Sequence, residues 1–137
     1  MIQQLSFQLT AKNRGFHLIT EEVLSHLPEL PQTGLLQLFI RHTSAGLSIN
    51  ENADPDVLHD FELFFNRIAP EHLPGLRHTL EGPDDMPAHV KAALIGHSVS
   101  IPISDHELSM GRWQGIFLGE FRTEPRRREL QATIIGE

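Results

Sequence analysis

The chain has no cysteine. That excludes disulfides, thiolate metal sites and cysteine nucleophiles; any metal must be held by nitrogen and oxygen, and a reducing compartment is permitted. An excess of positive charge is also lacking: 11 Lys and Arg stand against 18 Asp and Glu, for a formal charge of −7. A general nucleic-acid binder carries a basic face to neutralise phosphates, so that class is excluded except for a local patch. Nor is there an apolar run of about 18 residues that would span a bilayer, and the N-terminus, MIQQLSFQLT, has no basic n-region. The expectation is a soluble, unexported, cytoplasmic protein with neither nucleic-acid nor membrane partners.

What is abundant is histidine, nine in 137 residues. That length fits one domain, spanning 1–137, able to bury roughly two-thirds of the surface its unfolded chain would expose. His26 and His72, in polar surroundings near prolines, read as solvated surface residues. Which of the others converge depends on the order of elements.

From Gln4 to Thr10, Leu5, Phe7 and Leu9 alternate with polar residues, the period of a strand with one buried face. Asn13-Arg14-Gly15 is turn chemistry and FHLI a short apolar segment. Thr20, followed by Glu21 and Glu22, reads as the N-cap of a short helix ended by Pro28 and Pro31. Leu35–Ile40 and Leu47–Asn50 read as strands. Asp54-Pro55 starts a helix over Pro55–Ala69, whose phenylalanines are expected in the core. A second short helix begins at Asp84 or Asp85, with Pro87 in its first turn and Gly96 past its end. Strands follow at Ser98–Ile103, Gln114–Arg122 and Glu129–Ile135. Short loops imply antiparallel pairing, so the fold class is one α+β domain dominated by antiparallel sheet.

The segment HTLEGPDDMPAHVK crowds His78, Glu81, His89 and Lys91 together. Two histidines eleven residues apart share no helix face, but Glu81-Gly82-Pro83 can reverse the chain, so that His78 at a strand end and His89 at a helix start face one cavity. Three nitrogen ligands with an open position make a catalytic-type zinc site. The candidate third is His42, which directly follows a buried strand; the competing reading is a hydrogen-bonded strand-end histidine.

The stretch SINENADPD does not make a calcium loop, because Pro55 interrupts the spacing such a loop needs. Asp54 is explained as a helix cap, whereas Glu51 is a candidate general base or a carboxylate behind a metal-bound histidine. Thr43 and Ser44 in a tight turn, with Lys91 and Arg122, suit a phosphate or carboxylate. Arg126-Arg127-Arg128 reads as a solvated turn. Trp113, between glycines, lines a pocket or anchors the core.

Four blocks, HTSAGLSINENADPDV (His42 to Val57), RHTLEGPDDMPAHVKAALIG (Arg77 to Gly96), WQGIFLGEFR (Trp113 to Arg122) and the C-terminal RRRELQATIIGE, resemble the YjbQ-like proteins, some of whose members are labelled secondary thiamine-phosphate synthases. The resemblance implies an antiparallel β-sandwich flanked by short helices, a homotrimer, and a histidine-lined pocket in which His42, His78 and His89 bind a divalent metal, most simply zinc. Glu51 and Lys91 match motif positions that can lie beside them. Two places depart from the family pattern: Asp105-His106-Glu107-Leu108 stands where Asp-Gly-Arg-Leu is common, and Gly111-Arg112-Trp113-Gln114 where Gly-Thr-Trp-Gln is common. The first replaces a turn glycine; the second introduces Arg112 as a candidate anion contact.

The function expected is an enzyme acting on a phosphorylated small molecule, with thiamine-phosphate synthase as the named case. Glu51, Glu81 and Lys91 are the candidate catalytic residues, and Thr43, Ser44, Arg112, Trp113 and Arg122 the candidate substrate contacts. A zinc-dependent hydrolase and a non-catalytic binder of a phosphate-bearing metabolite are the alternatives.

Overall fold

The computed structural model describes residues 1–137. The elements run β1 (Ile2–Gln8), β2 (Gly15–Leu18), α1 (Thr20–His26), β3 (Thr33–Ile40), β4 (Ala45–Glu51), α2 (Pro55–Ile68), α3 (Asp85–Ile95), β5 (Ser98–Ser104), β6 (Glu107–Leu108), β7 (Gln114–Glu120) and β8 (Glu129–Gly136). Every ladder is antiparallel. One sheet has the order β1-β8-β3-β5-β6 and the other β2-β7-β4.

Burial alternates along the paired strands, and in β8 the sequence alternates with it. Along β3, Leu36, Leu38 and Ile40 are buried while Leu35, Gln37 and Phe39 face out. They pair with Ile134, Ala132 and Leu130 of β8, which alternate in the same phase. A slip of one residue would expose both rows, so this register is strongly specified. β7 is instead buried from Gly115 to Glu120, as suits the central strand of the smaller sheet. A cluster of 17 buried apolar residues draws on both sheets and on Val23 of α1. Each fully buried Leu or Ile there contributes about 2 kcal/mol of transfer free energy.

Three local expectations change. Thr20 does not cap α1: Ile19 occupies that position, and the Thr20 hydroxyl accepts the Ile116 backbone N–H at 2.9 Å, tying the helix to β7. The FHLI segment lies largely within β2, whose four residues are too few to show alternation. α2 starts as expected, with Asp54 Oδ1 accepting the Asp56 N–H at 2.9 Å, but none of its residues is buried. Phe61 and Phe65 are half-buried against Phe16, and Phe65 also stacks on Phe121, whereas Phe64 remains 66% exposed. The helix lies over the smaller sheet at the edge strand β2 and is not sunk into the main core.

Two connections cross between the sheets at the same end. Residues 41–44 lead from β3 to β4, and residues 121–128 lead from β7 to β8. They meet because Ala45 pairs with Glu120 and the Arg41 N–H donates to the Glu129 carbonyl at 3.0 Å. α3 is seated on β4 over Gly46, where a Cβ would lie 2.0 Å from Ile95 Cγ2. Only glycine permits that approach, which seats the C-terminal end of α3 on β4; nearer its start the helix reaches the crossover through His89, whose Nδ1 is 2.7 Å from the Thr43 carbonyl.

Candidate functional site

His78 lies in the loop before α3, not at a strand end as expected. The reversal is present: Gly82 has φ +103°, a conformation glycine adopts without strain. It returns the chain to Asp84 and Asp85, whose carboxylates make no helix cap. They are drawn instead to charged partners. Asp84 Oδ2 accepts from Arg122 Nε at 2.8 Å and from the Thr123 N–H at 2.9 Å, and Asp85 Oδ1 accepts from Arg122 Nη1. The Arg122 guanidinium also reaches the Glu81 carbonyl at 3.0 Å, so one side chain fixes the whole reversal.

The second oxygen, Asp85 Oδ2, faces two imidazoles, with His78 Nε2 at 2.6 Å and His89 Nε2 at 3.0 Å. These ligand atoms all lie within 4.8 Å of one another and could hold a metal ion. On the far side of its ring, His89 Nδ1 is 2.7 Å from the Thr43 carbonyl. A carbonyl only accepts, so Nδ1 carries the proton, and the Nε2 lone pair of the neutral ring points at the carboxylate. A lone pair facing an anion needs a cation between them, either a second proton or a metal ion. A backbone carbonyl holding Nδ1–H is also the usual support of a metal-binding histidine. Burial disfavours the Asp85 carboxylate, but hydrogen bonding from His78 and the charges of His89 and Arg122 outweigh it and hold Asp85 at about 2. Two imidazole nitrogens and a carboxylate oxygen are donor types that suit a divalent cation such as zinc.

Asp85 and His89 of this group border a cleft of about 470 Å³ with no hydrophobic residue in its lining, while His78 lines the neighbouring cavity with His72 and Met86. His42, Thr43, Ser44, Glu81 and Arg122, all anticipated from sequence, border the cleft as well, as do Arg41, Arg126 and Arg128. Arg128 corrects the reading of its triplet as a solvated turn. It is buried, with Nε donating to Glu120 Oε2 at 2.6 Å and Nη2 to the Ser44 hydroxyl at 3.0 Å and carbonyl at 3.2 Å. Arg127 alone of the three is exposed, and Arg126 has a buried Nε–H with no acceptor. The anion that justifies burying Arg128 is Glu120, on the neighbouring strand end, which local sequence does not reveal.

The remaining candidates lie elsewhere. His42 borders the cleft but is not one of the three converging groups; its Nε2 accepts the Glu129 backbone N–H at 2.7 Å. Burial and then the Arg128 guanidinium push its pKa down. Lys91 is on α3 but buried, donating to Asn66 Oδ1 at 2.7 Å, and burial followed by the charge of Arg14 pushes its pKa down to about 8. Glu51 ends β4, six residues and therefore about 20 Å from the crossover. Arg112 stacks over Trp113 at 4.8 Å at that same far end, where the Trp113 carbonyl accepts the Asn52 N–H. Asp85 is the residue that sequence reasoning missed. Its signal is there, since Asp85 and His89 stand four apart on one helix face, but a search confined to histidine pairs passes over it.

The whole chain is similar to known proteins. A family model described as UPF0047 protein YjbQ-like matches residues 5–137. The UPF0047 protein YjbQ of Escherichia coli O157:H7 is 45% identical over 139 aligned residues, covering 100% of both chains. UPF0047 protein MJ1081 of Methanocaldococcus jannaschii is 42% identical, covering 87% of this chain and 83% of its own. Among solved structures, a conserved hypothetical protein from Thermus thermophilus superposes with TM-score 0.82 at 38% identity, covering 93% of this chain and 97% of that one. A hypothetical protein from Aeropyrum pernix gives TM-score 0.82 at 30% identity, covering 98% and 99%. The chain belongs to the YjbQ-like family, UPF0047.

Proposed function

We propose that the cleft is the active site of a metal-dependent enzyme acting on a phosphorylated small molecule, with zinc held by His78, Asp85 and His89. The observation that carries this reading is a single carboxylate oxygen, Asp85 Oδ2, facing the Nε2 atoms of His78 and His89 at the edge of a cleft bordered by four arginines. Nitrogen and oxygen donors suit zinc, and three protein donors leave a position open for a ligand. A cation bound there supplies Lewis-acid stabilisation to a phosphoryl oxygen.

The arginines divide by what they already hold. Arg122 and Arg128 are engaged by Asp84, Asp85 and Glu120 and position the site. Arg41, bonded only to the Gln131 amide at 3.3 Å, and Arg126 are available to an anion. In a chain of formal charge −7 they make this cleft the place where a phosphorylated substrate is attracted. Thr43 offers a hydroxyl at the rim. Glu81, with its side chain 64% exposed and 3.6 Å from His78 Nε2, is placed to exchange a proton. Asp85, held at about 2, stays ionised and serves as charge.

The named case is formation of thiamine phosphate, in which the thiazole phosphate's ring nitrogen displaces pyrophosphate from a pyrimidine diphosphate. The site's task is then to neutralise the departing pyrophosphate. We further infer a cytoplasmic homotrimer in which the two sheets face each other as a sandwich. The core shared by both sheets supports the sandwich, and the exposed flank of α2 supports the trimer. Glu51, Arg112 and Trp113 take part only if a neighbouring chain carries them to the cleft. The test is incubation of zinc-loaded protein with both substrates and mass spectrometry of the products. Thiamine phosphate that disappears with His89→Ala is expected; no product from the loaded wild type sinks the thiamine assignment.

A further inference from the structure

Two histidines border the cleft, and the backbone blocks opposite nitrogens of their rings. In His89 the Thr43 carbonyl takes Nδ1–H, which leaves the Nε2 lone pair toward the cleft. In His42 the Glu129 N–H, which can only donate, is 2.7 Å from Nε2 and occupies that lone pair. A neutral His42 ring therefore carries its one proton on Nδ1. Nδ1 makes no hydrogen bond within the protein and is not among the buried unpaired atoms, so it is open to solvent, on a ring that borders both this cleft and the adjoining cavity beside Ala92, Ala93 and His97. One ring offers the cleft a lone pair and the other an N–H.

We propose that His42 is not a metal ligand but a hydrogen-bond donor to a phosphate-type oxyanion, through Nδ1–H, in a subsite shared with Arg41 and Arg126. This rests on the reading of the cleft as a metal and phosphate site and divides it in two. His78, Asp85 and His89 form the cation half, and Arg41, His42 and Arg126 the anion half. Coordination by His42 Nε2 would displace the Glu129 amide from its acceptor, and coordination by Nδ1 would require the ring to lose its only proton. Donation from Nδ1 requires neither. Arg126 adds a second reason: its Nε–H is buried without an acceptor, a costly arrangement that the guanidinium relieves by turning toward an anion. A phosphate group has oxygens enough for all three side chains.

The tautomer is read directly by long-range proton–nitrogen correlation NMR on the wild-type protein, so the test survives a variant that fails to fold. His42 is expected as the Nδ1–H form, with its resonances moving when inorganic phosphate is added. In parallel, tag-free His42→Ala and His89→Ala are assayed for bound zinc and, by calorimetry, for inorganic phosphate. His42→Ala should retain zinc at the wild-type level and lose about 10- to 100-fold in phosphate affinity, as expected for one hydrogen bond to a charged group. His42→Asn, which restores an N–H donor, should recover part of that loss. Repeating the titration with a phosphate monoester separates a site for free phosphate from one for a phosphorylated metabolite. An Nε2–H tautomer, zinc lost from His42→Ala as from His89→Ala, or no phosphate binding by the wild type overturns the assignment. Wild-type protein without zinc that still shows the Nδ1–H form and the phosphate loss sinks the metal reading and leaves this one standing.

Discussion

Among the polar side chains, Lys91 shows how burial and function can be confused. The sequence places it two residues after His89, inside the crowded segment, and so offers it to the site. The structure turns it to the opposite face of α3, 2% exposed and 5.9 Å from the Phe121 ring centre, with Asn66 as its hydrogen-bond partner. Its pKa of about 8 lies below the usual lysine value of about 10.4, so between those pH values the unfolded chain binds more protons than the folded one. Stability attributable to Lys91 therefore rises as pH climbs from about 8 to about 10.4, and below that window its buried charge is a cost. Asn66 Oδ1 keeps Arg14 as a donor when Lys91 is removed. Lys91→Met should be at least as stable as wild type at pH 7, by up to about 3 kcal/mol, and should flatten the rise between pH 8 and 10 in denaturant titrations. A variant that is much less stable and keeps the wild-type slope would contradict this.

The elements differ in how much of them can be read in advance. β5 and β8 carry their alternation in consecutive residues, β3 is a short apolar run of strand length, and Asp54-Pro55 fixes the start of α2, so their positions are legible. β2 is not, because four residues show no period. The convergence of His78 and His89 is legible through the Gly82 reversal, but the third partner is a carboxylate four residues from His89, easily passed over for a distant histidine. Arg128 is hidden for another reason: a run of three arginines looks solvated unless its partner is known, and Glu120 lies across the 121–128 connection. That buried pair joins the ends of β7 and β8 to Ser44 and holds the crossover on which the site is built. Glu120→Gln leaves the Arg128 charge uncompensated and should cost about 3–5 kcal/mol in chemical denaturation. Glu120→Met combined with Arg128→Met should be less damaging than the single change, since no charge is then left buried. If the double variant is as unstable as the single one, the pair's contribution lies in its shape and not in its charge.

At the scale of the molecule, the chain leaves apolar surface uncovered. The apolar stripe of α2 includes Val57, Phe61, Phe65 and Ile68, and Phe64 lies on its flank. The inner part rests on β2, while Phe64 and Ile68 stay 66% and 60% exposed, and Leu94 at the end of α3 is 56% exposed. A cavity of about 220 Å³ beneath α2, lined largely by apolar side chains that include Phe16, Phe61, Phe65 and Phe117, accompanies them. Such surface is expected at a contact between copies of the chain. Under the homotrimer proposal, Phe64→Lys should lower the mass measured by light scattering to that of a monomer while the circular dichroism spectrum is retained. An unchanged mass would remove α2 from the interface.

Central to the proposed function is a cation that joins Asp85 Oδ2 to His78 and His89. Metal analysis of protein purified without a histidine tag, in wild-type and His89→Ala forms, measures it directly. About one equivalent of zinc per chain in the wild type, lost from a folded His89→Ala, is the predicted result. Wild-type protein that holds no divalent metal even after zinc is supplied, or a His89→Ala that holds as much as wild type, would contradict it.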